Sequence, residues 1–118
     1  MPHLHLETTA DLPENADIPD ILEALGQDLA TRAGIDPAKI RAYHTLRSVW
    51  YMGSGGPPAF VHLTVFVLSG RDEAWKQAAG HGLLEVLRRH FSMSIDANEA
   101  SLTVDIREMD KDAYFRFP

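Results

Sequence analysis

Pro2 is the residue of this chain whose chemistry depends most on where it stands. It opens an alternating stretch, Met1-Pro2-His3-Leu4-His5-Leu6-Glu7, at the start of the sequence. Proline in second position is small enough for processing enzymes to remove the methionine before it, which leaves a secondary amine held in a ring. A proline nitrogen within the chain is an amide and has no basicity. A free N-terminal one is basic, and a dry or cationic pocket lowers its pKa towards neutrality by disfavouring the charged form. A neutral amine at pH 7 is a usable general base. Proline in this position also accompanies processing alone, so the residue by itself marks a candidate.

Other chemistries find less support. His3 and His5 share a strand face and could grip a metal, but a zinc site usually takes a third protein ligand and no nearby His or Cys spacing supplies it. Histidines on a half-buried strand are more often hydrogen-bonded structural residues, so neither a metal nor a cofactor is expected. The chain has no cysteine, which excludes disulfides, thiolate metal sites and a cysteine nucleophile. Gly53-Ser54-Gly55-Gly56-Pro57-Pro58 lacks the phosphate-loop spacing and leads into a strand, whereas phosphate cradles and nucleophile elbows open onto a helix.

The bulk composition sets the frame for these residues. The 118 residues suit one domain, 1–118, with the 45% hydrophobic and 24% charged content of an ordinary globular protein. A net charge of -6 argues against nucleic acid as a partner, since phosphate binding needs a basic surface. No apolar run approaches the roughly 20 residues that span a bilayer. No secretion signal is visible, and a cytoplasmic location is expected, compatible with the absence of cysteine.

The elements that must position Pro2 read as follows. Residues 3–8 alternate as a strand, with Leu4 and Leu6 on one face and His3, His5 and Glu7 on the other. Residues 9–16 are polar, contain Pro13 and read as a loop. Asp17 reads as the cap of a helix with Ile18, Ile21, Leu22, Leu25 and Leu29 on one stripe and Gly34 as its stop. Ile40 to Met52 reads as one long strand whose broken alternation suggests a bulge. Phe60 to Leu68 is nearly continuous apolar sequence, the pattern of a central strand buried on both faces. Asp72 caps a second helix reaching about His90, with Trp75, Ala78, Ala79, Leu83, Val86 and Leu87 on its apolar face. Gly80 and Gly82 cost that helix about 1 kcal/mol each relative to alanine, which suggests that another backbone passes close by. Leu102, Val104 and Ile106 alternate in a fourth strand, and the aromatic tail Ala113–Pro118 is expected to pack on something.

Strand-helix-strand thus occurs twice, in pseudo-repeats of about 1–56 and 57–118. Leu4-His5-Leu6 echoes Val61-His62-Leu63, and Asp17 echoes Asp72. Such units cross right-handedly and give parallel strand pairs. The expected fold is a two-layer α+β domain, a four-stranded sheet with two helices on one face. A third strand that is apolar on both sides predicts burial of the open face by other subunits.

In this order and spacing the sequence resembles the 5-carboxymethyl-2-hydroxymuconate isomerase family of the tautomerase superfamily. The matching pieces are Met1-Pro2-His3 with Glu7, Ala16-Asp17-Ile18-Pro19, Gly34-Ile35, Ile40-Arg41, Trp50-Tyr51-Met52, Ala59-Phe60-Val61-His62-Leu63-Thr64, Gly70-Arg71 and His90-Phe91. The resemblance implies a homotrimer of duplicated β-α-β subunits around a central barrel. It implies Pro2 as a proton shuttle without any cofactor, Arg41 and Arg71 as the groups that hold substrate carboxylates, and Trp50 and Phe60 as apolar lining of the pocket. His5 stands where the family pattern has an apolar residue, the loop before Ala59 is slightly shorter, and the tail is shorter and dissimilar.

The expected activity is an isomerase that moves a proton in an unsaturated di- or tricarboxylate, with 5-carboxymethyl-2-hydroxymuconate as the leading substrate. Such an enzyme would serve the catabolism of aromatic compounds. Two alternatives stand beside it. One is another activity at the same proline, a phenylpyruvate-type tautomerase or a hydratase-like dehalogenase. The other is a non-enzymatic trimer that binds a small acid, or a metal through His3, His5 and His62.

Overall fold

The computed structural model describes every residue from Met1 to Pro118. Four strands form one mixed sheet: β1 (His3–Thr9), β2 (Arg41–Arg47), β3 (Ala59–Leu68) and β4 (Ala100–Met109), in the order β2-β1-β3-β4. The two strand-helix-strand units give parallel pairs, β1 with β2 and β3 with β4, as their crossovers require. The central pair β1 and β3 is antiparallel, with His3 opposite Phe66 and Thr8 opposite Val61. The start of β1 therefore lies beside the finish of β3.

Helices α1 (Ile18–Ala33) and α2 (Glu73–His90) cover one face of the sheet, and a short α3 (Ser92–Asp96) follows. Alternation sends Leu4, Leu6, Val61, Leu63 and Val65 into the layer between sheet and helices, where Ile21, Leu25, Leu29, Leu83, Val86 and Leu87 meet them fully buried. Gly34 ends α1 in the left-handed conformation at φ 67°, which costs glycine nothing, and its N–H returns to the Ala30 carbonyl. Asp72 caps α2 by accepting from the Trp75 N–H at 2.8 Å. Asp17 occupies the corresponding position on α1 but makes no side-chain cap bond.

Several expectations need correction. The second strand stops at Arg47, not at Met52, because its last partner on β1 is Thr9 and β1 ends there. Residues beyond it have no strand in this chain to pair with. The segment read as a loop before α1 contains a 3-10 turn at Pro13–Asp17. Ala78 is exposed, so the apolar face of α2 is narrower than its spacing suggested. Within this chain a methyl at Gly82 would meet the side chain of Arg32 and one at Gly80 would make only an ordinary contact with the side chain of Ile106, so side chains and not a second backbone are the nearest neighbours at these glycines. The far face of β3 is mixed, with Phe60, His62 and Phe66 half-buried and Thr64 buried. In the tail, Tyr114 packs on His3, while Phe115 and Phe117 remain 86% and 99% exposed. No helix is long and apolar enough to cross a membrane.

Candidate active site

Pro2 is buried at the end of the sheet, one residue before β1, and its carbonyl accepts a hydrogen bond from the Arg41 N–H at 3.0 Å. It opens onto a cleft of about 390 Å³ whose walls are Met1, the turn after α1 at Gly34, Ile35 and Asp36, Lys39, the end of β3 at Val67 and Leu68, and Arg71. Local sequence builds each wall. Asp36 accepts from the Ala38 N–H at 3.0 Å and so shapes the 3-10 turn Pro37–Lys39, which delivers Lys39 ahead of β2. Gly70, at φ 109°, turns the chain out of β3 and delivers Arg71. The Arg71 guanidinium carbon then sits 4.6 Å from the Trp75 ring centroid in the first turn of α2, a cation–π contact that orients it.

The electrostatics of this end are distinctive. Of eleven cationic side chains, five are ion-paired, and the six others include Lys39, Arg41, Arg71 and Arg116. Burial, and then Arg116, Lys39 and Arg71, hold the Met1 amine, one residue before Pro2, below its ordinary pKa. Burial, the same amine and Arg41 hold the His3 imidazole below its usual value. Four unpaired cations thus converge on the N-terminus of a chain whose net charge is -6. Such a concentration of one sign favours anionic ligands and neutral amines at this end.

The residues singled out from the sequence fall into two groups. Pro2 and Arg71 share the cleft. Arg41 is beside Pro2 through its backbone, but its side chain stands with His3 on the face of the sheet away from the helices. Phe60 is at the start of β3, and Trp50 donates its indole N–H to the Pro58 carbonyl at 2.8 Å. Both lie at the opposite end of the sheet from Pro2, roughly 20 Å away by the rise of β1. Within one chain they do not line the cleft.

His3, His5 and His62 do not gather into a ligand set. Each is bonded separately, His3 to the Tyr114 hydroxyl at 2.9 Å, His5 to Thr45 at 2.9 Å and His62 to Thr103 at 2.6 Å. No group of three His, Asp or Glu side chains anywhere in the chain is placed to hold a metal ion. Sequence reasoning missed Lys39 and Arg116. Lys39 stood two residues before Arg41, in a turn whose direction the sequence does not fix. Arg116 stood in a tail whose aromatic residues drew attention to packing.

The profile of a family described as 5-carboxymethyl-2-hydroxymuconate isomerase matches residues 2–117. A protein of Escherichia coli described as 5-carboxymethyl-2-hydroxymuconate Delta-isomerase is 28% identical over 117 residues, covering 98% of this chain and 93% of its own. The crystal structure of a 5-carboxymethyl-2-hydroxymuconate isomerase from Deinococcus radiodurans R1 is 34% identical and superposes with a TM-score of 0.87, over 98% of this chain and 88% of that one. A structure described as a fused 4-OT wild type symmetric trimer is 20% identical, with a TM-score of 0.72 over 97% and 90% of the two chains. That last likeness is one of fold alone.

Proposed function

This chain belongs to the 5-carboxymethyl-2-hydroxymuconate isomerase family of the tautomerase superfamily and is an isomerase, and we propose that it acts on an unsaturated di- or tricarboxylate of the 5-carboxymethyl-2-hydroxymuconate type, with the nitrogen of Pro2 as its general base and acid. The convergence of unpaired Lys39, Arg41, Arg71 and Arg116 on that end of an acidic chain carries this reading.

Once Met1 is removed, the Pro2 amine takes the hydroxyl proton of the dienol. Electrons shift along the conjugated chain, the oxygen becomes a ketone, and the ammonium returns the proton to carbon. Nothing is gained or lost in composition. Arg71 holds a substrate carboxylate through paired N–H bonds and stabilises the negative charge that develops during the transfer. Surrounding cations disfavour the protonated amine, which keeps it a base at neutral pH.

The same reading includes a homotrimer. The sheet has two free edges, β2 and β4, and the segment after β2 exposes Val49 and Tyr51 at 91% and 88%. Edges and apolar segments of this kind call for partners. Different neighbouring copies would bring Arg41 on the one hand, and Trp50 and Phe60 on the other, to a cleft they cannot line in their own chain. Sedimentation equilibrium is expected to give a trimer at micromolar concentration, and a stable monomer would remove this part of the proposal.

The deciding experiment compares the protein with and without Met1, each verified by intact mass, in the isomerisation of 5-carboxymethyl-2-hydroxymuconate followed by absorbance. The processed form is expected to be active and the unprocessed form nearly inert. Equal activity would show that the proline nitrogen is not the base. Turnover of phenylpyruvate with none of hydroxymuconates would move the protein to another tautomerase activity.

A further inference from the structure

Lys39 and Arg71 reach the cleft from opposite sides of Pro2. Strand β1 runs between β2 and β3. Lys39 ends the turn that leads into β2, Arg71 follows the turn that leaves β3, and both line the cleft with Pro2. Neither is ion-paired, whereas Lys76 is bonded to Glu108. The one acid on the wall, Asp36, accepts the Ala38 N–H of its own turn through Oδ1 and forms no ion pair with either cation. Ile35, Val67 and Leu68 add apolar side chains to the same cleft.

The two cations differ in kind. Arg71 is stacked on Trp75 and offers a planar fork in a fixed orientation. Lys39 is exposed on a flexible stem and acts as a point charge that can follow a carboxylate over a range of positions. A cleft that combines apolar side chains with a fixed fork and an adjustable charge suits a conjugated carbon chain with a carboxylate towards each end. Holding both ends would set the reacting carbons across the Pro2 nitrogen, which is how positioning lowers a barrier.

We propose that Lys39 is a specificity-determining residue that holds a second substrate carboxylate across the cleft from the one on Arg71, so that the site prefers unsaturated acids charged at both ends to monocarboxylates. This rests on the isomerase reading of the cleft. The competing role for Lys39 is to act on the base alone, since it is also among the cations that hold the Met1 amine, one residue from Pro2, below its ordinary pKa.

The test is calorimetric titration of the Met1-free protein at fixed salt with two probes, muconate and sorbate. Both are conjugated dienes, one with a carboxylate at each end and the other with a single carboxylate. Wild type is expected to prefer muconate. Lys39→Met and Lys39→Gln are each expected to lose about tenfold or more of that preference, the scale of one charge-assisted hydrogen bond. Lys39→Arg should keep most of it. An unchanged preference in both neutral variants overturns the proposal, and a shifted N-terminal amine pKa alongside it would assign Lys39 to the base alone. Equal weakening of both probes also overturns it. If wild type isomerises no hydroxymuconate while the neutral variants still lose the preference, the isomerase reading fails and the assignment of Lys39 stands.

Discussion

At one end of the sheet the start of β1 meets the finish of β3, and at the other the start of β3 meets the finish of β1. Each end places one charged residue after the finishing strand and one polar residue in the short helical turn ahead of an outer strand. At the Pro2 end these are Arg71 and Lys39, unpaired and bordering an open cleft. At the other they are Glu14 and Ser94, both buried, with the Ser94 N–H and hydroxyl donating to the two Glu14 oxygens at 3.0 and 2.6 Å. A carboxylate that receives two donors in its own chain is a joint. Cations that receive no acid remain available to an anion from outside. Each end also has a proline near its first strand, but Pro58 is acylated within the chain and offers only its carbonyl, which Trp50 uses. Only Pro2 can become an amine.

The largest effects are expected where this difference is broken at the Pro2 end. Retention of Met1 turns the amine into an amide and should lower kcat/KM by about 10²–10⁴-fold, the usual contribution of a general base. Arg71→Ala should lower kcat/KM by about 10–100-fold with the fold intact, and Arg71→Lys should recover part of that, since the paired N–H geometry is lost. The pH profile adds a sign. Arg71 is among the cations that lower the pKa of the Met1 amine, and the same charge should disfavour the protonated Pro2 amine once Met1 is gone. The rate of the Met1-free protein should rise with pH along a single-proton limb and level off. In Arg71→Ala that limb should move to higher pH. An unmoved limb would mean that Arg71 does not act on the amine.

Much of this contrast was legible in the sequence, and the illegible part has physical causes. The helices and three of the four strands follow from periodicity, because Leu4, Leu6, Ile21, Leu25, Val61, Leu63 and Leu83 recur at the spacing of the face they bury. The end of β2 did not follow, since Val49 to Tyr51 have strand-like side chains and only the length of β1 stops them pairing. Pro2 and Arg71 could be matched to a known pattern. Their common cleft depends on the antiparallel pairing of β1 with β3, which no local signal encodes. Lys39 lay in a turn, where direction depends on the Asp36 cap and not on side-chain period. Glu14 looked like a loop residue because its partner is 80 residues away.

Breaking the other end should cost stability and spare chemistry. Glu14→Ala leaves the buried Ser94 N–H and hydroxyl without an acceptor and should destabilise the fold by about 1–3 kcal/mol. Urea unfolding at fixed protein concentration would show it as a lower midpoint, while activity well below the midpoint should stay near wild type. Glu14→Gln should cost less, because an amide oxygen can still accept one of the two bonds. A large loss of activity in a folded Glu14→Ala protein would erase the distinction between the two ends.

A smaller effect separates two histidines. At His3 burial, then the Met1 amine and Arg41, lower the pKa, whereas burial and then His5 hold the His44 imidazole below its usual pKa, in a bond of 2.7 Å to the Thr8 hydroxyl. The unfolded chain therefore binds more protons than the folded one between the ordinary histidine value of about 6.5 and the lower folded value. Stability should be fully present above that window and fall as pH drops through it. His44→Gln keeps a donor to Thr8 and removes the titration, so its urea midpoint should vary less with pH over that range. Unchanged pH dependence would place the acid sensitivity elsewhere, with His3 as the next group to replace.

The smallest effects test how alike the two halves are where no chemistry intervenes. Gly26 on α1 and Gly80 on α2 each face a groove beside an outer strand, next to Ile40 and Ile106 respectively. A methyl added at Gly26 would stand 3.8 Å from Ile40 Cγ2, and one at Gly80 3.8 Å from Ile106 Cγ1, both ordinary contacts. Glycine within a helix is less favourable than alanine by about 0.5–1 kcal/mol. Gly26→Ala and Gly80→Ala should therefore each raise the urea midpoint by a similar small amount. Gly82→Ala is the control, since its methyl would collide with the Arg32 side chain, which must swing away from Asp28 and offset the gain. Equal gains at Gly26 and Gly80 would show that both grooves have room for a methyl. A gain at one with a loss at the other would show that a neighbouring copy packs into that groove, and would identify the edge at which the subunits meet.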